Sequence, residues 1–408
     1  MLLEDAPRRC LIFSFDLMIV GSELENMILA RLNRLGFVPG EIMLLASHTH
    51  CAPATDQACA RLGIPDTDFV SDLADAAEKL VRQMQQARPS GVRLEVLQGQ
   101  LNHSVNRRRY WPFPTYGRVY GFQLTRISLA PDPHGSKDEG ATIAVLRNAE
   151  DGKPLAVIWH YTCHPTAVEP ESVISADYPG AVRRALRERF GQIPCIFAQG
   201  FCGDIRPNIP VARRRTGLRQ RLRNILHAIV SGPSFASPSA DDCERWRRSL
   251  AAGVDDVARG RPVTGFSPAG LQTGSASIAL SDFFTGTTPD KMLTAQILRV
   301  GEELEIVALS AEACVEWRSI LDTSFPVRAG RIRLYVGYLG TLFGYLPTAE
   351  QIPEGGYEVQ GFQPLFGLSG RFEPGRIGTA VTGCVTAAFA DLEGDARAAQ
   401  SPASPAQS

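Results

Sequence analysis

An α/β fold is predicted for this chain by three observations. Residues 10–20 (CLIFSFDLMIV) form an apolar run of strand character, Leu24, Met27, Ile28, Leu32 and Leu35 then recur at helical spacing, and Pro39-Gly40 turns the chain into a second apolar run, Ile42 to Ala46. Strand, helix, strand in that order is the building unit of sheets covered by helices. Gly36 is placed to end the helix.

The second run leads directly into Ser47-His48-Thr49-His50-Cys51-Ala52-Pro53. Side chains alternate faces in an extended chain, so His48 and His50 are expected to point the same way. Two imidazoles converging at the exit of a rigid strand are a common start to a zinc site. Two histidines hydrogen-bonded at a strand end fit the same letters.

Composition narrows the partners. With 42 basic against 43 acidic residues, a net charge of −1 and no basic block interleaved with aromatics, nucleic acid is not expected. The nine cysteines are odd in number, scattered and free of any CxxC pair, which points to buried reduced thiols rather than a disulfide framework or a cysteine zinc knuckle. No apolar run approaches the roughly 18 residues of a membrane span. Glu4, Asp5 and Asp16 make the first residues a poor signal peptide, so a cytoplasmic location is expected.

Further along, Val70, Leu73, Ala77, Leu80, Val81 and Met84 predict a second amphipathic helix, capped by Asp66 or Asp68. Residues 94–101 alternate as a strand and run into Asn106-Arg107-Arg108-Arg109. Three arginines are ordinarily a solvated run, but between a strand and a Pro/aromatic loop at least one is placed to enter a pocket. Strands are expected over 141–147 and 155–160, the latter running into Cys163-His164-Pro165-Thr166. His160 and His164 have the spacing of a helical metal pair. Pro165 and the β-rich residues around His160 argue against a helix, which leaves His164, in the turn, as the functional one.

Asp177 is placed to cap the helix that follows. Residues 194–208 read as a short buried strand and a glycine turn carrying Gln199, Asp204, Arg206 and Asn208, the usual layout of a site in an α/β sheet. Residues 231–240 have the composition of a flexible excursion. A strand over 304–309 ends at Glu312, where a carboxylate can cap a following helix, expected over 313–321, or ligate a metal. Residues 394–408 are Ala/Ser/Pro/Gln-rich and are expected to be disordered. The length permits two or three domains, yet no internal repeat or clear boundary divides the chain.

SHTH at 47–50, NRR at 106–108, CHPT with ISADYPG within 163–180, AQGFCGDIRPN at 198–208, and GYLPT followed by GGYE within 344–358 occur in the order found in neutral/alkaline, non-lysosomal ceramidases. The chain resembles that family over about residues 10–393. The resemblance implies a single large catalytic domain over 1–393, with a mixed β-sheet core and surrounding helices. It also implies a zinc amidohydrolase that cleaves an N-acyl bond by attack of a metal-activated water. By motif it implies His48, His164, Glu312 and Tyr345 as Zn2+ ligands, with Tyr338 the competing tyrosine, and His50, Arg107 and Tyr357 facing the scissile amide. Asp204, Arg206 and Asn208 are expected on the substrate.

Such a ligand set leaves room on zinc for water, whose pKa falls toward 7, while Arg107 and Tyr357 donate to the oxyanion. The chain departs from the family at Arg206, which stands where the GDVSPN motif has serine. A guanidinium cannot replace a hydroxyl, but it can hold a carboxylate or phosphate, so an N-acyl substrate with an acidic group is expected. No counterpart is seen of the family's DITPP-like N-terminal segment or its C-terminal immunoglobulin-like domain. The expectation is therefore a soluble intracellular hydrolase with a lipid or small-molecule N-acyl substrate. An esterase or a deacylase of a small biosynthetic intermediate would use the same site, and a ligand-binding relative without activity is the reading from another class.

Overall fold

The structure is a computed structural model that describes residues 1–112, 115–117, 121–123, 126–168, 173–211, 232–264, 270–288 and 290–400, without the side chains of 115–117, 121–123 and 395–400. In chain order the elements begin with β1 (Leu2–Asp5), β2 (Arg8–Phe15), α1 (Ser22–Asn33), β3 (Ile42–Ala46), α2 (Thr67–Gln86), β4 (Val92–Gln100) and β5 (Ser104–Tyr110). Next come β6 (Thr115–Gly117), β7 (Gly121–Gln123), β8 (Ile127–Asp132), β9 (Gly140–Asn148), β10 (Pro154–Tyr161), α3 (Asp177–Phe190), β11 (Cys195–Gln199), β12 (Ile205–Pro207) and α4 (Ala240–Ala258). The last part holds β13 (Leu271–Ala279), β14 (Phe284–Thr287), β15 (Met292–Val300), β16 (Leu304–Leu309), β17 (Glu312–Ala313), α5 (Trp317–Ser324), β18 (Ile332–Val336), β19 (Tyr345–Leu346), α6 (Gln351–Glu354), β20 (Ser369–Phe372) and α7 (Pro374–Gln400).

Two four-stranded mixed sheets form the centre, ordered β11-β10-β9-β4 and β13-β15-β16-β18, with β1-β2-β3 beside them. The alternation of side chains along each strand assigns the layers. On β10, Ala156 and Ile158 join Ile306, Ala308 and Leu334 of the second sheet in one apolar cluster, so the sheets pack face to face there. Val157 and Trp159 point the other way, onto Val182 and Leu186 of α3 and Leu250 and Val254 of α4. The outer face of the second sheet, with Leu293, Ala295 and Val307, packs on Ile377, Val381 and Val385 of α7. The order is thus helices, sheet, sheet, helices, an α/β architecture with mixed sheets as expected. At Gly274 of β13 a Cβ would lie 2.3 Å from the Ala388 carbonyl oxygen, so only glycine lets α7 settle this close.

Several boundaries differ from the sequence expectation for identifiable reasons. The strand expected over 10–20 is β2, which stops at Phe15, and beyond it the carbonyls of Leu17 and Met18 accept from His48. Residues 313–321 do not form one helix: the Glu312 and Cys314 amides donate to the carbonyls of Gly344 and Leu346, so the chain first pairs as β17 with β19, and α5 starts only at Trp317. Ala176, not Asp177, occupies the cap position of α3. Asp66 does cap α2, accepting from the amides of Asp68 and Phe69. The expected tail overlaps α7, which runs to Gln400, and residues 401–408 lie outside the described residues. All nine cysteines are buried thiols. No helix among the described residues is long and apolar enough to cross a membrane.

Candidate active site

The ends of strands from three sheets meet at one place. β3 delivers His48 and His50, β10 delivers His164 three residues past Tyr161, and the β17/β19 pair, in register at Glu312 and Tyr345, delivers a carboxylate and a phenol side by side. The Nε2 of His48 lies 3.2 Å from Glu312 Oε2 and 3.4 Å from the Nε2 of His50. The Nε2 of His164 lies 3.5 Å from the same Glu312 oxygen and 3.5 Å from the Tyr345 hydroxyl. His48, His164, Glu312 and Tyr345 are buried and His50 is half-buried.

The two histidines of the opening motif converge, but not by strand alternation. β3 ends at Ala46, and His48 has φ 65°, in the left-handed region that costs a non-glycine residue about 1–3 kcal/mol. The surroundings hold it there. Its amide donates to the Leu17 carbonyl, its Nδ1–H donates to the Met18 carbonyl at 2.7 Å, and the Tyr338 ring, itself at φ 60°, stacks on it at 4.2 Å. Sequence reasoning had no signal for this turn.

His164 is pinned in the same manner, its Nδ1–H shared between the carbonyls of Cys202 and Ile205 at 2.6 and 3.0 Å. In both residues the Nδ1–H is held by a backbone carbonyl and Nε2 is turned to Glu312, the arrangement of a metal-binding histidine. His50 has no such bond on Nδ1 among the described residues. Gly203 lets the turn after β11 approach, since a Cβ there would stand 2.6 Å from the Glu312 carbonyl oxygen. Asp177, at φ 51°, secures the loop after His164 by accepting from the amides of Ala167 and Val168. The expected separation of His160 holds, with its Nε2 on the Tyr335 carbonyl at 3.0 Å.

Electrostatics follow burial and charge. Burial, then the neighbouring His48 and His164, hold the His50 imidazole well below its ordinary pKa, so it is neutral at pH 7. Burial likewise brings His164 down to about 4 against the pull of Glu312. Glu312, although burial alone would raise it, is held well below the carboxylate range by His48 and His164.

A buried cluster of charged side chains lies alongside. A register shift in β5 between Asn106 and Arg108 lets consecutive arginines reach one carboxylate: Arg107 Nε donates to Glu358 at 2.7 Å and Arg108 Nη1 at 2.8 Å. Arg107 then sits between the rings of Tyr345 and Tyr357, 5.4 and 5.3 Å from their centroids, and among the described residues its buried Nη2 has no acceptor at hydrogen-bonding geometry. Tyr357 opens a π-helical turn after Gly355 and Gly356. Tyr338, the competing tyrosine, is also present, its hydroxyl 3.1 Å from Cys202 Sγ and 3.5 Å from Glu312.

Not every expected substrate residue is placed for that role. Asp204 is fully buried, with one oxygen taken by the Val315 amide and the other by Asn106 Nδ2 and, at 3.4 Å, Gln351 Nε2, so it braces the wall behind the site. Asn208 is exposed, its amide on the His103 carbonyl. Arg206 on β12 is half-buried, its guanidinium over the Phe235 ring at 4.7 Å. Glu358 and Phe235 were not picked out from the sequence, although Glu358 directly follows the singled-out Tyr357.

Fold and site together define an α/β protein whose strand ends gather three imidazoles, a carboxylate and two phenols in one buried cluster, of which His48, His50 and His164 are spaced to hold a metal ion. Among solved structures the chain is similar to a neutral ceramidase from Pseudomonas aeruginosa, with a TM-score of 0.65 and 18% identity over 95% of this chain and 67% of that one. It is also similar to a structure described as ceramidase complexed with C2, with a TM-score of 0.62 and 16% identity over 93% of this chain and 67% of that one. The fold is therefore ceramidase-like. No protein-family model and no curated protein sequence matches the chain.

Proposed function

We propose that the protein is a metal-dependent amidohydrolase that removes an acyl group from an N-acyl amide, with zinc as its ion. One observation carries the reading: the inward atoms of His48, His164, Glu312 and Tyr345 stand 3.2–3.5 Å apart along the contacts that join them. Ligands in a tetrahedron with metal bonds of about 2.0–2.1 Å are separated by about 3.3–3.4 Å, close to these distances. Nitrogen and oxygen donors, two of them with their second ring nitrogen bound to a carbonyl, suit a divalent ion of this type. When bound there, the ion supplies a Lewis acid and a source of nucleophilic water near neutral pH.

The chain's own residues do the rest. His50, at ligand spacing from His48 but unpinned and half-buried, is read as the proton carrier rather than a fourth nitrogen ligand. It is neutral, so it can accept a proton from the attacking water and pass it to the departing nitrogen. The acyl carbon–nitrogen bond breaks as a bond to the water oxygen forms, the nitrogen leaving with its electron pair and taking that proton. Arg107 remains charged: burial alone would lower its pKa, but Tyr345, Glu358 and Tyr357 raise it well above the ordinary value. Its buried Nη2, with the Tyr357 ring beside it, is positioned to donate to the oxygen of the scissile carbonyl.

The reading is tested by metal analysis together with turnover. Purified protein is expected to hold about one equivalent of zinc, falling below about a tenth in His48→Ala, and to release fatty acid from ceramide or another N-acyl amide by mass spectrometry. Full hydrolysis after complete metal removal would overturn it.

A further inference from the structure

We propose that Arg206 determines specificity at this site, selecting N-acyl substrates that carry a carboxylate within a few bonds of the scissile amide. The inference rests on the amidohydrolase reading and names its substrate class. Among the described residues, the other two arginines of the cluster are paired: Arg107 and Arg108 share Glu358, and Arg108 also meets Glu354. Arg206 has no carboxylate partner among them. What it has is Phe235, over whose ring the guanidinium carbon lies 4.7 Å from the centroid.

Its position ties it to the reacting groups. It follows Ile205, whose carbonyl accepts both the amide and the Nδ1–H of His164, and it pairs across the ladder with Val105, two residues before Arg107. Burial first, then the like charge of Arg107, bring its pKa down to about 10, with Cys163 and Tyr345 opposing. It is therefore still a cation at neutral pH, partly desolvated and facing a second cation. That combination is unfavourable until an anion arrives.

A guanidinium offers two parallel N–H groups that match a carboxylate in a bidentate pair. A single free fork braced by one aromatic face suits one carboxylate. A neutral diol head would leave the charge uncompensated.

Two matched pairs of probes test this. N-decanoylglycine and N-decanoylethanolamine differ by a carboxylate on the amine side, and N-decylsuccinamic acid and N-decylbutanamide by one on the acyl side. Zinc-loaded protein is expected to prefer the acid of at least one pair by about tenfold or more in kcat/KM, mainly through KM. Arg206→Ser should cost the preferred acid about 10–100-fold and its neutral partner at least tenfold less, with Arg206→Lys between, because charge is kept and the fork is lost. Equal use of acid and neutral members, or equal loss on both in Arg206→Ser, overturns the inference. If no compound is cleaved, the amidohydrolase reading fails, and calorimetric titration of the same four compounds still reads Arg206: tighter binding of an acid, abolished in Arg206→Ser, supports the inference, and equal binding refutes it.

Discussion

Replacing Glu358 by glutamine tests whether the charge cluster behind the site is held by ion pairing or by packing. The carboxylate is fully buried, and its two oxygens accept from Arg107 at 2.7 Å and Arg108 at 2.8 Å. Glutamine keeps the volume, but it can accept from only one guanidinium and turns its NH2 group toward the other. Removing one partner from a buried ion cluster costs about 3–5 kcal/mol. For 408 residues the entropy of unfolding at the midpoint is about 0.86 kcal/mol/K at about 2.1 cal/mol/K per residue, so Tm should fall by about 4–6 °C. Differential scanning calorimetry at pH 7 reads the shift. The second variant decides the cause. Arg108 retains Glu354 at 2.9 Å, so adding Arg107→Met to Glu358→Gln removes the unpaired charge and should return about half of the loss. A Glu358→Gln shift below about 1 °C, or strictly additive losses in the double variant, would refute the ion-pair account.

The other predictions concern the site and its wall. His164→Ala should reduce bound zinc from about one equivalent to below about a tenth in equilibrium dialysis, with the far-ultraviolet circular dichroism unchanged. Gly203→Ala should weaken zinc binding about tenfold or more against a competing chelator, because its Cβ drives the Glu312 carbonyl, 2.6 Å away, and with it the ligand. Asp204 gives a pH signature. Burial raises its pKa to about 6 although the Val315 amide and Asn106 pull it down, so the folded state holds a proton that the unfolded chain releases nearer 3.8. Its contribution to stability is therefore full below about pH 4 and lost as pH rises through about 6, a change of about 3 kcal/mol. The Tm of Asp204→Asn relative to wild type should rise across that window; a difference flat to about 1 °C would count against it.

The parts of the fold that were legible in the sequence are those governed by local rules. Ile42 to Ala46 is a strand with every residue buried, and Asp66 caps α2, because burial of a short apolar run and satisfaction of a helix's first amides are decided within a few residues. Glu312 was placed at a strand exit by the same logic. What local rules could not give is what the distant chain imposes. The two-residue β17 exists only because β19, 33 positions later at Tyr345, offers it carbonyls. α7 was missed although Ile377, Val381, Val385 and Leu392 recur at helical spacing, since small residues dilute that stripe.

The opening histidines show how the right pairing can follow from the wrong geometry. Alternation along a strand would have set His48 and His50 as equivalents on one face. The left-handed turn at His48 makes them different instead: it buries His48 and turns its Nδ1 onto the Met18 carbonyl, while His50, beyond the turn, stays half-buried with Nδ1 unpinned. A pinned imidazole is committed to one tautomer and suits a fixed ion, whereas an unpinned one can exchange a proton between its two nitrogens. Strain of about 1–3 kcal/mol at one residue therefore gives two identical side chains two different settings. The Tyr338 stacking at 4.2 Å and the backbone bonds to Leu17 and Met18 are the contacts that hold it.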